Sequence, residues 1–364
     1  MKRKHLFWIV PVVLLVSFLT WNYWPTDNRL IVSPETTVIT GPLNADGTVN
    51  YVQYVDDQMR EGVTPENNAA IDYVAALGWV NVFRSEEHAR YAAEKMGADF
   101  DAWRKGAKLE RFDEYLLRVH GLDVDAMDPL PTRLDWEFLG SKALGQLWTA
   151  EDYPELAGYL AEQGEALDGI ATACAKPRFY IPLIPIGDPP VLLFCEYPQL
   201  GGILNRARLL SLRATRRIAE GDLDGAWSDT LTLRRLGRHY ESQPTLLQVL
   251  VGMGVERMSA KPFQLLINDP ALSRELLIRM HADLASLPQE SPLAAAMRFE
   301  QLSTVDIVQM LSRGHVDKAL SDEFGATANM DFTRLAQTLG GRWGRLVVAF
   351  EQANWPAVSD ANEA

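Results

Sequence analysis

Cysteine and histidine are scarce, with two and six in 364 residues. Two cysteines exclude a disulfide-framework miniprotein and a four-cysteine zinc site. Positive charge is in deficit: 35 Lys and Arg stand against 48 Asp and Glu, for a net charge of −13. Such a surface repels a phosphate backbone, which excludes general nucleic-acid binding. A G-x-S-x-G elbow, an H-E-x-x-H helix, a Walker A loop and a dinucleotide glycine fingerprint are also missing. Familiar hydrolase, zinc-protease and nucleotide chemistry therefore lacks its usual residues. The sequence nominates no catalytic or metal-ligating residue and implies no cofactor.

Apolar side chains, at 47% of the chain, are sufficient for a core. The longest apolar run is Leu6 to Trp24, where Tyr23 is the one ionisable side chain. As a helix it rises about 28 Å, close to the thickness of a bilayer's hydrocarbon core. Lys2, Arg3 and Lys4 precede it, which keeps that end cytoplasmic, while Trp8 and Trp21, Tyr23 and Trp24 suit the two interfaces. No A-x-A-like triplet follows, so the segment reads as an uncleaved signal-anchor rather than a removed signal peptide. Membrane lipid is then one partner, through residues 6–24. Residues 1–5 form a cytoplasmic tail, 25–50 a juxtamembrane linker, 51–355 an extracytoplasmic helical domain and 356–364 a polar tail.

Within the linker, Asn44-Ala-Asp46-Gly47 marks a turn. Thr64 with Pro65 opens a helix that continues through the nearly uncharged stretch 69–80, which is buried on most sides. Ser85 caps another, with Glu86 and Glu87 favourable in its first turn. Thr132 and Asp135 have capping-box spacing before a stripe from Trp136 to Leu147. Asp269-Pro270 opens a helix with Leu272, Leu276, Met280 and Leu284 in one stripe, and Leu335 to Phe350 forms a last one. The apolar runs 178–184 and 191–195, around Pro185-Ile-Gly-Asp-Pro-Pro190, predict a small β-hairpin or a proline-rich insertion.

Gly221-Asp-Leu-Asp-Gly-Ala226-Trp and Gly314-His-Val-Asp-Lys-Ala319-Leu share one pattern, and 209–238 resembles a tetratricopeptide unit with Gly221 at its tight turn. The stretches Thr40-Gly-Pro-Leu-Asn-Ala-Asp-Gly-Thr-Val-Asn-Tyr51 and Glu61-Gly-Val-Thr-Pro-Glu-Asn-Asn-Ala69 resemble the opening of a family of exported bacterial proteins. That resemblance implies export and a helix pair near Glu220–Trp227; it carries over no catalytic residue. The fold expected is mainly α: an irregular, repeat-like bundle of helical hairpins with one small β-hairpin or proline-rich insertion, plus one N-terminal transmembrane helix.

Three sets of residues are candidates for function. His120 to Asp128 holds three carboxylates and an imidazole, and reads as a junction between helices with capping acids rather than a Ca²⁺ loop. Arg206, Arg213, Arg217, Arg234 and Arg238 concentrate positive charge in an acidic chain, suited to an anionic ligand or partner. The alternative is that they pair internally with the surplus acids. Cys174 and Cys195 flank the proline-rich insertion. They read either as a disulfide closing about 21 residues, worth roughly 3 kcal/mol, or as two buried thiols. These features point to a protein-interaction or scaffold role at the cell envelope, with an envelope protein as partner. The alternatives are an envelope hydrolase with an unrecognised carboxylate site and a passive structural component.

Overall fold

The computed structural model describes residues 31–106, 109–121, 143–200, 202–287 and 293–313. The apolar run 6–24, most of the 120–128 cluster, the Thr132/Asp135 cap, the second glycine turn at 314 and the 335–350 stripe lie outside the described residues. Among the described residues no helix is long and apolar enough to cross a membrane. The fold is mainly helical, as its periodicity requires. In chain order the helices are α1 (Tyr51–Arg60), α2 (Ala69–Leu77), α3 (Glu86–Met96), α4 (Phe100–Lys105), α5 (Phe112–His120), α6 (Pro154–Glu162) and α7 (Gly164–Ala173). Then follow α8 (Ile203–Ala219), α9 (Leu223–Glu241), α10 (Leu246–Met258), α11 (Ala260–Ile267), α12 (Arg274–Ala285) and α13 (Leu293–Arg313). Contacts divide the described residues into two compact units, one of 31–56, 185–196 and 300–313, the other of the described residues between 57 and 184 and between 197 and 299.

In the first unit the expected turn forms. Asp46 Oδ1 accepts the Thr48 N–H at 2.9 Å, Gly47 takes φ 81°, and Leu43 bridges Val49. The C-terminal part of α13 ties this unit together by side chain. Gln309 bonds both backbone groups of Val49, accepting its N–H at 2.8 Å and donating to its C=O at 2.9 Å. One turn earlier, Asp306 accepts the Leu192 N–H at 2.8 Å.

The second unit holds the main core, which runs from Ala69 to Val255 and includes Tyr73, Trp103, Leu116 and Trp148. Ser85 caps α3 as its position predicts, accepting the His88 N–H. Two start signals are displaced. Thr64 and Pro65 sit in a turn, and Asn68 caps α2. Asp269 likewise closes a turn with Ala271, leaving Ser273 as the cap of α12. In both, a side chain just before the apolar face captures the first turn's amides and out-competes the Pro signal.

Of the two readings for 178–195, a β-hairpin or a proline-rich insertion, the hairpin is not seen, and no strand is present among the described residues. The backbone groups of 178–180 are taken by other partners. Ala69 N–H donates to Arg178 C=O at 2.7 Å, the Asn68 amide bonds both backbone groups of Tyr180 at 2.9 Å, and Gln243 donates to Phe179 C=O at 2.8 Å. Leu192–Phe194 folds into a 3-10 turn. A ladder needs those groups unclaimed, and here a helix cap claims them first.

Helices α8 and α9 form the expected hairpin, turning at Gly221 with φ 84°. Ile203, Ala207, Leu210, Ala214 and Ile218 are all buried, as their spacing predicts. Helix α10 then packs on α9 backbone to backbone. A Cβ on Gly252 would lie 2.6 Å from Gly237 C=O and 2.6 Å from Glu241 N. Gly252→Ala should therefore force the helices apart and cost about 2 kcal/mol. Gly254→Ala, with open space around its Cβ position, should be neutral or slightly stabilising. Equal urea midpoints for the two variants would contradict this packing.

Candidate functional site

Each sequence-nominated arginine has a defined setting, and most lie inside the protein's own packing. Arg213 has a side chain only 8% exposed and meets Asp229, which is fully buried, at 2.6 Å, and Asp168 at 2.8 Å. Arg217 reaches the other Asp229 oxygen at 2.9 Å. Burial pushes the Asp229 carboxyl up, against the pull of Arg213 and Arg217. Burial also works against the Arg213 charge, but Asp229 and Asp168 more than offset it, so its pKa is raised. The network joins α8 to α9, and the exposed Asp168 extends it to α7. Arg238 pairs with Glu241 and Glu256, both at 3.2 Å, and Arg234 lies over the Phe263 ring at 4.9 Å. For Arg213, Arg217 and Arg238 the internal-pairing alternative describes the contacts found, Arg234 lies against an aromatic ring instead, and the structure does not collect the five arginines into one site.

Arg206 differs because it borders a cleft. Only 5% exposed, it donates Nη1–H to the Tyr73 hydroxyl at 3.0 Å and Nη2–H to the Asn81 carbonyl. The cleft measures about 440 Å³ and lies between the Leu109–Asp113 segment and the first turns of α8. Tyr159 stands on its wall, donating its hydroxyl to Glu110 C=O at 2.7 Å, and burial raises its pKa. Two carboxylates also line the cleft, each held by a guanidinium. Asp113 is bonded by Arg111 at 2.8 and 3.1 Å, and Glu110 by Arg118 at 2.7 and 3.0 Å. Asn81, Leu109, Tyr159 and Asn205 were not nominated from sequence, because residues this far apart in the chain share no local pattern.

Both cysteines are free and buried. Burial pushes the Cys174 thiol up to about 12 and raises Cys195 as well, the latter helped by Asp306 and Asp56. As buried thiols both are small apolar groups of low reactivity. No group of three or more His, Cys, Asp or Glu side chains suited to a metal occurs among the described residues.

The other notable surface is on α10. Gln248, Val249, Gly252 and Val255 are buried. On the opposite side Leu247, Leu250 and Met253 are 58%, 57% and 56% exposed. Arg257, in the last turn of α10, and Lys261, in the first turn of α11, are both exposed. The signal was present in sequence as a helix apolar on all sides, a pattern that normally marks complete burial. No protein-family model, curated protein or solved structure matches the chain.

Proposed function

We propose that this chain is a protein-interaction module, anchored to a membrane through residues 6–24, and that its contact surface is the outward face of α10. One observation carries the proposal: a helix apolar all round leaves three large side chains more than half in water. Their spacing of three residues matches the anchors by which an amphipathic helix is recognised. Arg257 at the carboxyl end of the stripe, with Lys261 following in α11, stands out against a chain charge of −13. The partner is accordingly an amphipathic helix of another protein, apolar on one face and carrying acidic residues at one end. The hydrolase alternative gains no support in the cleft, where both carboxylates are paired with arginine.

The test is the combined variant Leu247→Ser, Leu250→Ser, Met253→Ser in the full-length chain. Exposed side chains away from the core contribute little to folding, within about 0.5 kcal/mol each. The wild type, extracted from its native membrane in mild detergent, should sediment as a larger assembly and the variant as the smaller species, with similar melting temperatures. Identical sedimentation of the two proteins contradicts the proposal. So does a melting temperature lowered by many degrees, which would mean the chain itself covers this face.

A further inference from the structure

We infer that Glu241 on α9 and Glu256 on α10 share a single proton beside Arg238, so that the contact between these two helices is a pH-sensitive joint that loosens when the proton leaves. The packing brings the two acids together. Glu241 stands one helical turn after Gly237, and Glu256 one turn after Gly252, so each acid shares a helix face with its glycine. A Cβ on Gly237 would lie 2.9 Å from Glu256 Cβ, and one on Gly252 would lie 2.8 Å from Glu241 Cγ. Each acid's stem therefore rests against the bare backbone of the facing helix.

The charges do not balance without a proton. Arg238 reaches both acids, donating Nη1–H to Glu241 Oε2 and Nη2–H to Glu256 Oε1, each at 3.2 Å. One cation neutralises one carboxylate, and a second ionised carboxylate is left over. Glu241 is only 5% exposed, and its Oε1 is buried with no hydrogen-bond donor among the described residues. The side chain within hydrogen-bond reach of this carboxyl is Glu256. Two carboxylates have no hydrogen between them, so that bond exists only when one of the pair is protonated. Burial is the first cause that pushes Glu241 up, to about 7 from an ordinary 4.5. The charge and hydrogen bond of Glu256 add to it, and Arg238 opposes it. Arg234, also on α9, acts on Glu256 in turn. Among the described residues, α8 and α11, which pack on the same helices, add no charge to this set. A carboxyl raised in this way contributes fully below pH 4.5 and loses its contribution as pH rises through 7. The joint is tight in mild acid and weaker above neutrality, whether or not the outward face of α10 binds a partner.

Hydrogen exchange of the α10 amides tests this in the full-length protein in detergent, at pH 6 and pH 8 and corrected for intrinsic exchange. Wild type is compared with Glu241→Gln and with Glu256→Gln. Each glutamine has the shape of a protonated glutamate, accepts from Arg238 and donates to the remaining carboxylate. Between the two pH values, local opening should rise about tenfold more in the wild type than in either variant, as the shift from 4.5 to 7 requires. His239 titrates alike in all three and cancels. Independently of any variant, the carboxyl carbons of 13C-glutamate-labelled wild type should include two that respond together near pH 7. Equal pH dependence in wild type and Glu241→Gln overturns the inference. So does a wild-type slope retained by Glu256→Gln, which would give the proton to Glu241 alone, or titration of every glutamate carbon near 4.5.

Discussion

Replacing Asp306 by asparagine should stabilise the first unit at pH 8 and flatten its dependence on pH. Asp306 is 2% exposed, and burial holds its carboxyl at about 7 against an ordinary 3.8, although the Leu192 N–H and Gln309 pull the other way. Between those two values the folded chain keeps a proton that the unfolded chain releases. The group's contribution is therefore fully present below pH 4 and is lost as pH rises through 7. About three pH units correspond to roughly 4 kcal/mol, an upper figure. Asparagine has the same shape, never ionises, and can still accept from Leu192. His239 in the second unit has the opposite sign: burial lowers it to about 4, so it weakens that unit as pH falls from 6.5 towards 4. A whole-chain melting curve mixes the two. Hydrogen exchange at the Leu192 and Val49 amides reads the first unit alone, because those amides are held by Asp306 and Gln309. Wild-type protection at both should fall between pH 5 and pH 8 after correction for intrinsic exchange, and Asp306→Asn should keep it. A variant that exchanges faster at pH 8 with an unchanged slope would contradict this account.

Arg213→Ala should cost about 3–5 kcal/mol, because it leaves the fully buried Asp229 with one cation where two now bind it. The double variant Arg213→Met, Asp229→Leu should recover much of that loss, since removing both charges also removes the desolvation cost. An arginine kept for an external anion behaves otherwise: its removal abolishes binding and leaves folding alone. Urea unfolding of the two variants decides between these roles. A loss below about 1 kcal/mol for Arg213→Ala would return the residue to the candidate binding surface.

Much of the helical framework was legible in the sequence because its causes are local. Ser85 and the acids after it specify the start of α3, and Ile203 to Ile218 mark the buried face of α8 through spacing alone. The turn at Asn44–Gly47 is equally local. What was not legible depends on pairs distant in the chain. Asn68 finds the Tyr180 backbone 112 residues away, and that contact removes the expected β-hairpin. Val49 and Gln309 are 260 residues apart. The arginine cluster was visible as composition, but which arginine meets which acid follows from the crossing of α7, α8 and α9. Arg213 and Arg217 point at Asp229 because the Gly221 turn folds α9 back on α8. The cleft depends on Leu109–Asp113 and Asn205 meeting, and no periodicity encodes that.

The stripe on α10 is different, since both its faces were readable and only the helix-packing partner α9 was needed to decide which is buried. Site-specific photo-crosslinking tests that surface most directly. A benzophenone side chain is placed singly at Leu247, Leu250 and Met253 of the full-length protein in its native membrane, with exposed Glu165 as the control position. The account predicts one common adduct at all three α10 positions and none at Glu165, with the crosslinked peptide an amphipathic, acid-bearing helix. No adduct on α10, or the same adduct from Glu165, would contradict it.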